Sequence, residues 1–142
     1  MDQNVNDGSV TSEVKSPLSG KKVLIIEDDA LIGSILYNHL VKDGIDTTLL
    51  KTGEDGLQFL RETMPDIVLL DIFLPGINGL DLLESLRKDD KTKDLKILML
   101  SNTDQLKDRT RAQENKAEFL VKAGVMPTDI VKKIGEMLGV SQ

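Results

Sequence analysis

A chain of 142 residues with 39% hydrophobic and 30% charged side chains has room for one domain of ordinary size with a real core. Having no cysteine and a single histidine, it excludes a disulfide framework, a thiolate cluster, a cysteine nucleophile and a multi-histidine metal site, which leaves carboxylate, hydroxyl and amine chemistry. The formal net charge of -6 argues against a sequence-independent grip on nucleic acid, which needs clustered Lys and Arg, so no direct nucleic-acid partner is expected.

From Met1 to Gly20 the chain is built of Asp, Asn, Ser, Gly and Thr with scattered valines, too little apolar surface to offset ordering entropy, so residues 1–20 are expected to be a disordered tail. The acids near its start do not suit a signal peptide. No apolar run approaches the ~20 residues of a membrane span, so a cytoplasmic protein without membrane insertion is expected.

From Lys21 onward short apolar runs alternate with amphipathic stretches, the pattern of strand and helix units in a parallel sheet. The runs are Val23 to Ile26, Thr47 to Leu50, Ile67 to Leu70, Ile97 to Leu100 and Phe119 to Val121. The second is half polar, which predicts an edge strand. Leu31, Ile32, Ile35, Leu36 and Leu40 recur at helical spacing and stop at Gly44, a residue suited to a helix C-terminus. Leu57, Phe59 and Leu60 mark a second helix ending before Pro65, and Leu80, Leu83 and Leu86 a third beginning near Gly79. Asp104 to Glu114 is almost wholly polar, with Leu106 and Ala112 as its expected core contacts, so the fourth helix should pack lightly. The last opens near Pro127 and should bury Ile130, Val131, Ile134 and Leu138.

In an open parallel sheet ligands sit beyond the carboxyl ends of the strands. Glu27, Asp28 and Asp29 follow the first run, Asp71 the third, Ser101 and Asn102 the fourth, and Lys122 the last. Carboxylates gathered on one rim must be protonated, paired or bridged by a cation. Oxygen ligands without His or Cys suit Mg²⁺ or Mn²⁺. With the Lys122 ammonium and the Ser101 hydroxyl, such a rim could neutralise and orient a phosphoryl group carried on an aspartate. Asp29, at the start of a helix, reads better as an N-cap than as a ligand.

The chain from residue 21 to 140 resembles the receiver domain of bacterial two-component response regulators. The resemblance rests on Ile25-Ile26-Glu27-Asp28-Asp29, on Leu70-Asp71-Ile72-Phe73-Leu74-Pro75-Gly76-Ile77-Asn78-Gly79, on Leu100-Ser101-Asn102 and on Phe119-Leu120-Val121-Lys122, all in order. It implies an α/β, flavodoxin-like, doubly wound (βα)5 fold with a five-stranded parallel sheet of order 2-1-3-4-5, with no output domain. It also implies that Asp71 is the phosphoacceptor, and that Mg²⁺ is held by Asp28 directly, by Glu27 through water, by Asp71 and by the backbone carbonyl of Phe73. Lys122 would pair with the phosphoryl group, Ser101 would be the switch hydroxyl, and Phe119 the aromatic that turns inward with it. The implied partners are a sensor histidine kinase or phosphotransfer protein and a downstream target, with a dimer through the fourth and fifth helices as a further option.

Two positions depart from the family pattern. Ala123 stands after the lysine where proline, joined by a cis bond, is usual, and a cis bond to a non-proline residue costs roughly 3 kcal/mol. Phe73 stands where a polar residue would help place the attacking water, which predicts a long-lived phosphoryl group. The competing readings are a non-phosphorylated receiver-like module that binds a protein partner and a Mg²⁺-dependent aspartyl phosphatase. The latter needs an acid two residues beyond its nucleophile, where Phe73 stands.

Overall fold

The structure, a computed structural model, describes residues 16–140. The elements in chain order are β1 (Lys22–Ile26), α1 (Ala30–Lys42), β2 (Asp46–Leu50), α2 (Gly53–Glu62), β3 (Ile67–Asp71), α3 (Gly79–Lys88), β4 (Lys96–Ser101), α4 (Leu106–Glu114), β5 (Glu118–Val121) and α5 (Pro127–Leu138). The strands form one five-stranded sheet in the order β2-β1-β3-β4-β5, and every neighbouring pair is parallel. This is the parallel sheet that the strand and helix alternation predicts, in the doubly wound flavodoxin-like order that the resemblance implies.

Alternation along each strand divides the core in two. Leu24, Ile26, Val68, Leu70, Ile97 and Met99 face one way and pack with Leu80, Leu82, Leu83 and Leu86 of α3, Leu60 of α2 and Ala112 of α4. Val23, Ile25, Ile67, Leu69, Leu98 and Leu100 face the other and pack with Leu36 and Leu40 of α1 and Ile130, Val131 and Ile134 of α5. Covered on both faces, β3 is buried at all five positions. By contrast the half-polar β2 lies at an edge and is only partly buried, as its sequence predicts.

Local chemistry sets the helix ends. Asp29 caps α1, its carboxylate accepting the N–H groups of Leu31 and Ile32 at 3.0 Å, and Gly44 follows the helix with φ +80°. Pro127 opens α5, where its missing N–H leaves no intrahelical bond unmade.

Two expectations are corrected, and one apolar stripe is wider than the face it buries. The tail was drawn through Gly20, yet Leu18 is 0% exposed and packs in the core beneath α1 and α5. Gly20 N–H also bonds to Gly44 O at 2.9 Å. Residues 16–20 therefore belong to the domain, and the expectation of disorder for residues 1–15 lies outside the described residues. Leu31 and Ile35 share the α1 periodicity but are 70% and 47% exposed, because the buried stripe against β1 and α5 is narrower than the apolar one. Leu106, expected in the core, is 77% exposed at the first turn of α4, leaving Ala112 as that helix's buried residue.

Candidate functional site

The register of the sheet assembles the site. Ile26 lies beside Leu70, so the next residues, Glu27 and Asp71, emerge together at the carboxyl edge. Asp71 pairs with Leu100 and Ser101 with Val121, which brings Ser101 and Lys122 to the same edge. The Lys122 N–H closes this side by donating to Ser101 O at 2.7 Å.

Glu27, Asp28 and Asp71 each place a carboxylate oxygen within 4.8 Å of the others. Glu27 and Asp71 are 1% and 3% exposed, whereas Asp28 is exposed. The Lys122 ammonium reaches between the two buried acids, 2.7 Å from Glu27 Oε1 and 3.4 Å from Asp71 Oδ1. One ammonium against three carboxylates leaves an excess of negative charge. Burial first, then the hydrogen bond and repulsion from Glu27, pushes the Asp71 carboxyl from 3.8 up to about 7, against the lowering by Lys122. An all-oxygen donor set with excess negative charge, open to solvent at Asp28, fits a hard divalent cation. The same charge accounting disfavours any anion that arrives without one.

The loop after Asp71 is pinned from two sides. A Cβ at Gly79 would lie 2.0 Å from Asp71 O, so α3 can begin here only with glycine. The Gly79 N–H bonds to Ile72 O at 2.8 Å. From α2, Glu54 Oε2 accepts the Ile77 N–H at 3.2 Å, and a Cβ at Gly53 would meet Ile77 Cγ2 at 2.2 Å. The Phe73 N–H approaches Asp71 Oδ1 at 3.4 Å, while its ring is 51% exposed beside the site.

The structure therefore brings Glu27, Asp28, Asp71 and Lys122 together. It places Ser101 on the same edge, but its fully buried hydroxyl is engaged within its own loop, donating to Thr103 O at 2.7 Å and accepting Thr103 N–H at 3.1 Å. Phe119 is half-buried against the α3 side of the core. The Lys122–Ala123 bond is trans, and Lys122 reaches both acids across it without the usual proline.

Sequence reasoning missed the arginines of α4. The Arg109 guanidinium lies 4.7 Å from the centre of the Phe119 ring and binds Asp104, and Arg111 binds Asp81 and Glu84 of α3. Asp104 and Arg109 are five residues apart, outside the three- and four-residue spacing by which helical ion pairs are read from sequence.

Comparison with known proteins agrees with this arrangement. Residues 23–135 match the response regulator receiver domain, and the chain belongs to that family. Among curated relatives, the DNA-binding response regulator MtrA of Mycobacterium tuberculosis is 32% identical over 114 residues, covering 80% of this chain and 49% of that protein. The phosphate regulon transcriptional regulatory protein PhoB of Escherichia coli is 27% identical over 114 residues, covering 80% and 50%. The chain thus spans about half the length of the curated relatives it matches. Among solved structures, a CheY-like receiver domain protein from Methanospirillum hungatei superposes with TM-score 0.78 at 28% identity, covering 84% of this chain and 94% of that one. A response regulator from Chloroflexus aurantiacus gives 0.78 at 29% identity, covering 84% and 98%.

Receiver domains are signalling switches that bind Mg²⁺ at an acidic site and interact with histidine kinases and downstream targets. The expectation of no nucleic-acid partner is not supported, since MtrA, of which this chain spans about half, is named a DNA-binding regulator. Net charge speaks only to the surface of the domain that carries it. Among the described residues no helix is long and apolar enough to cross a membrane.

Proposed function

We propose that this protein is a phosphoacceptor switch: Asp71 takes a phosphoryl group from a phosphohistidine of a sensor kinase or phosphotransfer protein and returns it later to water. The observation that carries this reading is the approach of Lys122 to Glu27 and Asp71 at 2.7 and 3.4 Å inside a cluster of three carboxylates. A module that only bound a protein partner would have no physical need to hold that repulsive set.

Asp28, Asp71, the Phe73 carbonyl and, through water, Glu27 would hold Mg²⁺, or Mn²⁺ in its place. Bound there, the cation offsets the charge of the carboxylates and of the incoming phosphoryl oxygens. The chain's own groups do the rest. An Asp71 carboxylate oxygen forms the bond to phosphorus as the donor's P–N bond breaks, and the imidazole leaves with the electron pair. Lys122, already between the two buried acids, exchanges its contact with Asp71 for one with a phosphoryl oxygen. The Ser101 hydroxyl moves toward that oxygen, and Phe119 follows it inward. Phe73, an apolar ring where a polar side chain would orient water, slows hydrolysis of the acyl phosphate.

The output is a change in the surface of α4, β5 and α5, read in the cytoplasm by a target protein, by another phosphotransfer protein or by a second copy of the chain. Intact mass after incubation with acetyl phosphate tests the reading, with and without Mg²⁺, on the wild type and on Asp71→Asn. One added phosphoryl mass that needs both Mg²⁺ and Asp71 is expected. No gain in a folded wild-type sample would overturn the proposal in favour of the binding module.

A further inference from the structure

Ser101 is joined to Phe119 by a continuous path of contacts. Its hydroxyl donates to Thr103 O at 2.7 Å and accepts Thr103 N–H at 3.1 Å. The next residue, Asp104, accepts from Arg109 Nη2 at 2.7 Å and from Nε at 3.1 Å. The same guanidinium lies 4.7 Å from the Phe119 ring centre, within the range of a cation–π contact.

Around this path little else fixes α4. Its one buried residue is Ala112. Arg111 ties it to Asp81 and Glu84 of α3, so arginines on one helix hold both α3 and the β5 aromatic. Ion pairs of this exposed kind are weak and exchange readily, which suits a part that must move.

The decisive point is the hydroxyl's single proton. A serine has one O–H to donate, and here Thr103 O takes it. Donation to a phosphoryl oxygen on Asp71 requires Ser101 to release that carbonyl, which removes the hydroxyl's tie to the turn that leads into Asp104.

We propose that Arg109 is a positioning residue that clamps Phe119 in the resting protein, and that Asp104 makes the clamp answer to Ser101. With Thr103 holding the Ser101 hydroxyl, Asp104 fixes the guanidinium over the ring. When the hydroxyl leaves for a phosphoryl group, Asp104 is withdrawn and the ring is released. This rests on the phosphoacceptor reading above. Because coupling is reciprocal, whatever phosphoryl binding does to open the clamp, opening the clamp does for phosphoryl binding.

The test is titration of Mg²⁺-loaded protein with beryllofluoride, a phosphoryl mimic, alongside the ring resonances of Phe119. Loss of one exposed cation–π contact predicts about 2- to 5-fold tighter beryllofluoride binding for Arg109→Gln. Asp104→Asn should tighten binding similarly, and the double variant should gain no more than either single one, since both cut the same link. Arg109→Lys, which keeps the charge and loses the planar guanidinium, should fall between wild type and Arg109→Gln. The Phe119 resonances should shift in Asp104→Asn as they do in Arg109→Gln. In a Ser101→Ala background Arg109→Gln should change nothing, an outcome a merely structural role for Arg109 would not produce.

Wild-type affinity in both single variants, or fully additive effects, would overturn the clamp while leaving Asp71 as acceptor. A wild type that takes up no beryllofluoride with Mg²⁺ would remove the phosphoacceptor reading and the clamp with it.

Discussion

Replacing Asp71 with asparagine should make the metal-free protein more stable. In the folded chain the Asp71 carboxyl is raised from 3.8 to about 7, with burial the largest cause. The folded state therefore keeps a proton that the unfolded state gives up. The stability associated with Asp71 is complete below its ordinary value and is lost as pH rises toward and through about 7. A gap of about three pH units corresponds to ~4 kcal/mol, at about 1.4 kcal/mol for each. Asparagine imitates the protonated carboxyl and escapes that loss, but it gives up the ionic contact with Lys122, so the net gain at about pH 8 should be about 1–3 kcal/mol. Urea denaturation of wild type and Asp71→Asn in chelator, at about pH 5 and about pH 8, measures it. The advantage of the variant should grow with pH and shrink when Mg²⁺ is added, because the cation takes over the role of the proton. A variant no more stable than wild type at the higher pH, or a wild type that gains on it as pH rises, would refute the electrostatic account.

Four further outcomes are expected. Lys122→Met leaves Glu27 and Asp71 buried without their cation and should cost about 3–5 kcal/mol in chelator, partly recovered with Mg²⁺, as read from thermal melts. Gly79→Ala drives a Cβ onto Asp71 O and should cost about 2–3 kcal/mol in denaturant melts while slowing phosphorylation by acetyl phosphate. Leu18→Ala should cost about 2–4 kcal/mol in urea melts, whereas Leu106→Ala should stay within about 0.5 kcal/mol, a contrast that inverts the sequence expectation for both. Phe73→Asn should shorten the lifetime of the phosphoryl group, followed by loss of added mass with time; an unchanged lifetime would remove Phe73 as its cause.

The strands and the acids at their ends were legible because burial on both faces writes a nearly unbroken aliphatic run, and the first polar residue after it marks the carboxyl edge. Asp29 was legible as a cap for a similar reason, since its partners are its own neighbours. What the sequence could not carry was the width of a contact. Leu31 and Ile35 keep perfect helical spacing, yet the neighbouring elements leave both exposed. Leu18 gave the opposite error: one leucine among Ser, Pro and Gly has no period to announce it, though it fills the space below α1 and α5. The Arg109–Phe119 contact was hidden because it depends on where β5 lies relative to α4, a distance no local pattern records.

The site's residues come from strands threaded widely through the chain, with Glu27 and Lys122 separated by 95 positions. During vectorial synthesis the acids of β1 and β3 are made long before the lysine that joins them, and Lys122 arrives just after the short edge strand β5. An unfinished or partly opened chain thus carries the negative charges without their counterweight. The contact of Lys122 with both acids is therefore made only once the sheet has closed to its fifth strand.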